Sequence, residues 1–363
     1  MIIEQVDVDV LEVPVERPYV AGGGAVTANW HVLVRIRTRG GAEGFGYVVK
    51  LGPQFIGTIA HATRELGELL VGRNVLDSEA SWSAMSSAGK FIGPGGLMHW
   101  AMAPLDIAMW DAAGHALGQP LYRLLGGMRN AMPVYASDEL WYSLTLDELA
   151  TNAAAYAAEG FPAIKLRLGA QATAKEQAER VRAARTAAGD AVDVMVDGTE
   201  SWDLPYARTA ARALQDAGAT WLEDPVHHEN LAGLAGLSQI LDIPVTGGEN
   251  LYTLSQFRRS LDAGAFDVCI LDLFRVGGIT PWRKIAALAS AFHVPISGHV
   301  VPEIHTHLLA ATPNARIVEY MPRSNTIVPN APTPVAGVLT LSERPGHGLA
   351  LDAEAFKRCR VNG

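Results

Sequence analysis

Residues 192–225 decide the fold, and they read VDVMVDGTESWDLPYARTAARALQDAGATWLEDP. The stretch begins with a β-like run that ends at Asp197 and continues through an Ala-rich helical run at 206–217. It closes with a second β-like run that ends at Glu223. A strand, a helix of this length and another strand predict one parallel βαβ unit. Both predicted strands end in a carboxylate, which gives the unit a possible chemical role.

The same alternation of β-like and helical runs continues on both sides of this stretch. The β-like runs lie at 133–136, 163–168, 192–197, 220–223, 244–246, 267–271, 294–297 and 316–319. Eight strands in about 190 residues favour a closed barrel over an open sheet. A doubly wound sheet would usually carry a Gly-rich phosphate turn, and neither G-x-G-x-x-G nor a P-loop follows any of these runs. We therefore predict an α/β fold built on a modified (β/α)₈ TIM barrel.

The segments outside this alternation predict a capping domain. Residues 1–50 have β-like periodicity, and helical spacing follows at 56–70 and 98–125. We predict an α+β capping domain over 1–130, a barrel over 131–328 and a C-terminal segment over 329–363 that returns to the cap. Three consecutive glycines, Gly22 to Gly24, predict a mobile loop between two strands. This loop is either a long hairpin connection or a lid over a site.

Composition excludes several classes of partner. The chain has 363 residues, of which 49% are hydrophobic, so it can bury a large core. Its net charge of −9 argues against nucleic acids and anionic membranes as partners, because both require a basic surface. An anionic small molecule remains compatible, because a bound metal ion reverses the local field. Two cysteines, no basic-apolar leader and no long apolar run predict a cytoplasmic protein.

Three acids lie at the ends of consecutive predicted strands. Asp197, Glu223 and Glu249 are spaced 26 residues apart in each case, which is about one βα unit. Because barrel enzymes place their chemistry at the carboxyl ends of strands, these side chains should converge. Converging carboxylates disfavour each other's charge unless a cation lies between them. The sequence predicts a Mg²⁺ site, with Mn²⁺ as an alternative.

Further polar residues lie in or near the ends of other predicted strands. Asp272 follows the sixth predicted strand and His299 the seventh, so the carboxylate can orient the imidazole as a general base. Glu319 ends the eighth strand, where neighbouring acids would keep it protonated as a hydrogen-bond donor. Lys165 and Arg167 share one face of the second strand and suit an anionic substrate.

Several segments carry a family resemblance over most of the chain. They are Lys165-Leu-Arg167, Met195-Val-Asp197, Trp221-Leu-Glu-Asp-Pro225, Gly248-Glu249-Asn250, Asp272-Leu-Phe-Arg-Val-Gly-Gly-Ile-Thr280, Ser297-Gly-His299, His307-Leu-Leu-Ala-Ala-Thr-Pro313 and Val318-Glu319. Together they resemble the enolase superfamily and, within it, the mandelate racemase group.

The resemblance implies roles for the strand-end residues. Asp197, Glu223 and Glu249 would hold Mg²⁺, which would bind the substrate carboxylate and stabilise an enediolate. His299, oriented by Asp272, would be the base. The resemblance also implies that Glu319 donates a hydrogen bond to the enediolate and that Lys165 lies near the carboxylate. The candidate substrate contacts are Thr199, Asn250 and, on the Gly-rich loop, Tyr19 and Val20. A homo-oligomer is implied as well.

One departure from the family pattern bears on the reaction. The racemase motif on the second strand is Lys-x-Lys, whereas this chain has Arg167 at the second position. A guanidinium is a poor base, which favours a one-base reaction such as the dehydration of an acid sugar to a 2-keto-3-deoxy acid. Thr199 replaces an Asn of the racemase pattern. A racemase or epimerase of an α-hydroxy acid, favoured by the apolar lid residues, and a non-catalytic ligand-binding barrel remain alternatives.

Overall fold

The computed structural model describes residues 1–21, 24–169 and 172–361, and its larger part is a closed parallel barrel. Eight strands lie in chain order around the barrel, and the eighth pairs with the first to close it. They are β4 (Ala131–Ala136), β5 (Ala163–Arg167), β6 (Asp193–Asp197), β7 (Trp221–Glu223), β8 (Val245–Gly247), β9 (Val268–Asp272), β10 (Ile296–His299) and β11 (Ala315–Tyr320). The predicted modified TIM barrel is confirmed.

Seven helices connect the barrel strands, and five of them begin at a side chain that accepts a hydrogen bond from an N–H group of the first turn. Thr145, Thr173 and Thr253 form capping boxes with the Glu or Gln three residues later, and Asp203 and Asn230 cap two further helices. The helices are α5 (Leu146–Ala158), α6 (Ala174–Ala188), α7 (Leu204–Asp216), α8 (Leu231–Ser238), α9 (Leu254–Asp262), α10 (Ile279–Ala291) and α11 (Pro302–Ala310).

The N-terminal region forms a capping layer of one antiparallel sheet and four helices. The sheet has the order β1 (Ile3–Ala21), β2 (Gly24–Thr38) and β3 (Glu43–Lys50), and the helices are α1 (Ile56–Glu68), α2 (Ser78–Ala88), α3 (Leu97–Leu117) and α4 (Leu121–Leu124). Helix α3 is so close to β3 that a Cβ on Gly44 or Gly46 would lie 2.2 or 2.4 Å from its backbone. Glycine is therefore required at both positions of β3.

The structure corrects one prediction for the cap and describes most of the Gly-rich segment. The helical stretch predicted at 98–125 is two helices, because Gly118 adopts a left-handed conformation and Pro120 follows it. The Gly-rich segment, interpreted above as either a hairpin connection or a lid, is paired as a β-hairpin in which Tyr19 lies opposite Val26 and Val20 opposite Ala25. Gly22 and Gly23 lie outside the described residues.

The C-terminal segment contacts both parts of the molecule. Its strand β12 (Val338–Thr340) pairs antiparallel with β4 of the barrel. Its helix α12 (Ala353–Cys359) lies against β1, where Val361 N donates to Val10 O. The domain boundaries given above stay a prediction. Among the helices of the described residues, none is long and apolar enough to cross a membrane.

Candidate active site

The strand-end residues meet in one ring at the carboxyl ends of the barrel strands. Asp197 and Glu223 are paired neighbours at the ends of β6 and β7, and Asp272 and His299 are paired neighbours at the ends of β9 and β10. Glu249 lies two residues after the end of β8. The parallel register therefore brings side chains that are far apart in sequence to the same end of the barrel.

Lys165 lies among the acids of this ring. Its Nζ is 2.5 Å from Glu223 Oε1, 3.1 Å from Glu319 Oε1 and 4.0 Å from Asp197 Oδ2. The side chain is fully buried, and Nζ lies 5.4 Å from the centre of the Tyr135 ring. Burial alone would lower the pKa of Lys165, but the surrounding carboxylates raise it well above its usual value. Lys165 is therefore a fixed ammonium.

The acids disfavour each other's charge, as the sequence predicted. Burial and, to a smaller extent, the charges of Asp197 and Glu249 raise the pKa of Glu223 to about 8, against the opposing effect of Lys165. Burial, together with Glu249, also raises the pKa of Asp197. Within the described part of the chain, no group donates a hydrogen bond to the buried Oε2 of Glu223. A buried oxygen without a donor, beside other carboxylates, fits a hard divalent cation.

Glu249 contacts the imidazole of His299 and the guanidinium of Arg275. Its Oε2 lies 3.3 Å from His299 Nε2, and its Oε1 lies 3.6 Å from Arg275 Nη1. Among the described residues, no choice of one carboxylate oxygen from each of Asp197, Glu223 and Glu249 places all three oxygens within 4.8 Å of one another. A cation bound by all three would replace contacts that Lys165 and His299 now make.

His299 has the geometry of an oriented base. Its Nδ1 lies 2.6 Å from Asp272 Oδ2, and the other oxygen of Asp272 accepts from the backbone N–H groups of Phe274 and Arg275 at 2.8 Å each. Burial alone would lower the pKa of His299, but the carboxylates of Glu249 and Asp272 raise it to about 9. The remaining nitrogen, Nε2, faces the acids, and the side chain is 16% exposed.

Arg167 is held by three neighbours. Nη1 donates to Ser137 O at 2.6 Å, Nη2 donates to Glu319 at 3.3 Å, and the guanidinium carbon lies 4.3 Å from the centre of the Trp141 ring. Burial would lower the pKa of Arg167, but Glu319 and Asp197 raise it. A guanidinium fixed on both edges and stacked on an indole keeps its proton.

Glu319, predicted to be a protonated donor, is surrounded by hydrogen-bond donors in the structure. Glu319 Oε2 accepts from Val300 N at 2.8 Å, and Oε1 contacts both Lys165 and Arg167. Burial would raise the pKa of Glu319, but Lys165, His299 and Arg167 lower it far below its usual value. The prediction from neighbouring acids omitted the cations on β5, which make Glu319 an ionised acceptor.

The four candidate substrate contacts have different neighbours in the structure. Thr199 N donates to Asp197 Oδ1 at 2.7 Å, and Asn250 Nδ2 donates to Asp224 Oδ2 at 3.2 Å. On the hairpin, the Tyr19 ring stacks on Trp141 with centroids 5.0 Å apart, and Val20 is 41% exposed. Tyr19 thus connects with the site through Trp141, whereas Asn250 is turned towards Asp224.

Sequence reasoning missed Arg275 and Trp141. Arg275 Nη1 donates to Glu249 O at 3.0 Å and lies 3.5 Å from Asp272 Oδ2, so it joins a predicted metal ligand to the acid that orients His299. Its position three residues after Asp272 was an available signal. Trp141 lies in a loop, and nothing in the sequence placed its ring beneath Arg167.

Comparison with known proteins identifies the family. Residues 5–126 match the family model described as mandelate racemase / muconate lactonizing enzyme, N-terminal domain, and residues 148–355 match the one described as enolase C-terminal domain-like. The chain belongs to the enolase superfamily. Within it, the N-terminal match places this superfamily member in the mandelate racemase and muconate lactonizing enzyme group, as the sequence motifs indicated.

The similarity to individual relatives extends over most or nearly all of the chain. A 3,6-anhydro-alpha-L-galactonate cycloisomerase from Streptomyces coelicolor is 32% identical over 99% of each chain. An L-talarate/galactarate dehydratase from Salmonella typhimurium is 31% identical over 89% of this chain and 81% of the relative. The crystal structure of a racemase from Streptomyces coelicolor with bound magnesium superposes with a TM-score of 0.93 at 32% identity, covering 99% of this chain and all of the other. The chain is an enzyme, a lyase or an isomerase.

Proposed function

We propose that this enzyme removes the α-proton of a small carboxylic acid and dehydrates an acid sugar to a 2-keto-3-deoxy acid. Asp197, Glu223 and Glu249 would hold Mg²⁺, for which Mn²⁺ is a plausible substitute because both accept oxygen ligands. The donor-free oxygen of Glu223 and the raised pKa values of the acids support this site. When bound, the ion supplies positive charge to stabilise the substrate carboxylate as it becomes an enediolate.

His299 is the proposed base. Asp272 fixes its Nδ1, so Nε2 is the nitrogen that takes the α-proton. Dehydration then needs the β-hydroxyl to leave with a proton, and the protonated His299 can supply that same proton. Lys165 stays charged throughout and balances the carboxylates around it. One imidazole therefore serves both steps, provided that proton and hydroxyl leave on the same face of the substrate.

The state of Arg167 is the observation that favours dehydration. Racemisation needs a second base on the opposite face of the substrate, and the racemase pattern provides a lysine at this position. Here the guanidinium donates to Ser137 O and Glu319 and stacks on Trp141. Such a group binds and orients but does not take a proton. The rest of the guanidinium suits a distal hydroxyl or carboxylate of a polyhydroxy acid. The name of the Salmonella relative, L-talarate/galactarate dehydratase, gives substrates of this class.

A screen of acid sugars and α-hydroxy acids with Mg²⁺ tests the proposal. Release of a 2-keto acid from an acid sugar, with loss of one water, is the expected result. Running the same screen in D₂O reports deuterium at the α-carbon of recovered substrate. Deuterium exchange with inversion, and no keto acid from any acid sugar, would overturn dehydration.

Racemisation or epimerisation of an α-hydroxy acid is the second candidate. The exposed apolar side chain of Val20 on the hairpin favours it, because a polyol would gain more from polar contacts. The Streptomyces structure described as a racemase also supports it. In this case Lys165 would have to act as the second base, so Lys165→Arg would abolish inversion while leaving exchange by His299.

A further inference from the structure

The loops that follow β6 and β7 bring together a second group of ligand-type side chains outside the ring of acids. Glu200 comes from the first loop, and His227 and His228 come from the second. One ligand atom from each residue lies within 4.8 Å of those of the other two. Among the described residues, these three are the group of His, Cys, Asp or Glu side chains that meets this condition. Neither the base, the fixed cations nor the three acids described above take part in it.

Glu200 is held in place by the backbone of the loop that follows β7. Its N–H donates to Asp224 O at 2.8 Å, and its Oε1 accepts from the His228 backbone N–H at 2.9 Å. The same Oε1 lies 2.8 Å from His228 Nδ1. Glu200 has a φ of 56°, in the left-handed region that non-glycine residues rarely adopt. The carboxylate is therefore positioned before any ligand arrives.

The imidazole rings of His227 and His228 are stacked. Their ring centroids are 4.3 Å apart and the rings are inclined by 26°. His227 Nδ1 accepts from Glu229 N at 3.3 Å, so Nε2 is the nitrogen that would bind an ion. The side chains of His228 and Glu200 are 19% and 16% exposed, and His227 is exposed. Solvent thus reaches the trio, leaving room for water to complete a coordination shell.

The donor set separates this group from the catalytic acids. Two imidazole nitrogens and one carboxylate oxygen suit Zn²⁺ and neighbouring late first-row ions, at about 2.0–2.2 Å per bond. An all-oxygen set suits Mg²⁺. We propose that Glu200, His227 and His228 form a second divalent-cation site, specific for a transition ion such as Zn²⁺, that ties the loop after β6 to the loop after β7.

The site would stabilise the loops that carry two of the catalytic acids. Glu200 follows Asp197 in one loop, and His227 follows Glu223 in the other. An ion that bridges the loops favours the folded state in proportion to its occupancy. The chemical step does not need it, so its role is structural and its presence is independent of the reaction catalysed.

Zinc binding to the full chain tests the proposal. The metal-stripped protein is saturated with Mg²⁺ and titrated with Zn²⁺ by calorimetry, and bound zinc is counted by mass spectrometry after desalting. We expect zinc binding that His227→Ala and Glu200→Gln each weaken by at least about tenfold, since losing even an outer partner of a metal ligand costs about 10–100-fold. His227 is exposed, so His227→Ala should fold, which circular dichroism verifies.

Two controls separate this site from others. His61→Ala removes an exposed histidine 3.5 Å from Glu65 on α1, a pair of the same chemistry without the third ligand, and should leave zinc binding unchanged. Asp197→Asn alters the ring of acids and should leave the His227-dependent zinc in place. Zinc binding that is absent from the parent chain, or equally strong in His227→Ala and Glu200→Gln, would overturn the proposal.

Discussion

Asp106 in the cap and Glu223 at the barrel mouth are both buried carboxylates, 1% and 0% exposed, but their neighbours differ. Asp106, on α3, accepts from Thr280 N at 2.9 Å and from Thr280 Oγ1 at 2.6 Å, so both of its oxygens are satisfied by neutral donors. Glu223 instead faces Lys165 and other carboxylates, and its Oε2 has no donor among the described residues.

Burial raises the pKa of Asp106 to about 7 and that of Glu223 to about 8, so a raised pKa does not by itself identify a reactive acid. The two sites are distinguished by hydrogen bonding and by neighbouring charge. A carboxylate with neutral donors on both oxygens ties α3 of the cap to α10 of the barrel. A carboxylate that faces other carboxylates and keeps a free oxygen is able to receive a cation.

Glu223→Gln should have the largest effect. The substitution removes a charge from the proposed cation site and leaves Lys165 without its nearest carboxylate. We expect Mg²⁺ binding, measured by calorimetry, and turnover both to fall below detection. Asp106→Asn is the matched buried-acid control and should keep Mg²⁺ binding. Equal Mg²⁺ affinity in Glu223→Gln and the parent chain would contradict the distinction between the two acids.

His299→Asn should separate metal binding from proton transfer. Loss of a positioned general base lowers the rate by about 10²–10⁴-fold. Mg²⁺ binding should persist, because the three acids remain. The control is His293→Asn, an exposed histidine in a left-handed conformation that Asn tolerates. Near-normal turnover in His299→Asn would rule out the one-base mechanism.

Asp272→Asn should change the pH dependence of activity. His299 must be neutral to accept a proton, so kcat/KM rises as the pH increases through the pKa of His299. The hydrogen bond and charge of Asp272 raise that pKa, and their removal moves the rise to lower pH. Without metal the pKa of His299 is about 9, and a cation at Glu249 should lower it by offsetting the carboxylate charge. Histidine NMR titrations with and without Mg²⁺ measure both shifts, and an unchanged pKa in Asp272→Asn would contradict the assignment.

Asp106→Ala should have the smallest effect on chemistry and a clear effect on stability. It leaves the buried N–H of Thr280 without its acceptor, which costs about 1–3 kcal/mol of unfolding free energy. Turnover per folded molecule and Mg²⁺ affinity should match those of the parent chain. Denaturant unfolding and calorimetry measure the two quantities, and a loss of Mg²⁺ affinity would show that the two buried-acid regions are not independent.

The barrel and the identity of the ring residues were predictable from sequence. Strand-end acids recur at a regular interval, and parallel pairing turns that interval into proximity, as in the neighbouring pair Asp197 and Glu223. Helix α2 was missed because its Ser-rich sequence buries only Ser81 and Met85 within it and so has weak periodicity. A hairpin connection was one of two interpretations of the Gly-rich segment, but the extension of β1 and β2 into it was not predicted, because three consecutive glycines favour a loop.

The charge states within the ring were less predictable. The ionised state of Glu319 depends on Lys165 and Arg167, and their exact approach is set by barrel geometry rather than by spacing along the chain. The contact of Arg167 with Trp141 joins a barrel strand to a loop in the same way. Sequence periodicity identifies which side chains face the mouth, whereas their mutual distances are properties of the packed barrel.

The position of a bound cation tests the central claim most directly. A crystal soaked with Mn²⁺ and measured for anomalous scattering should show a peak coordinated by Asp197, Glu223 and Glu249, with His299 Nε2 facing the vacant side of the site. A manganese peak elsewhere, with the three carboxylates still held by Lys165 and His299, would contradict the account.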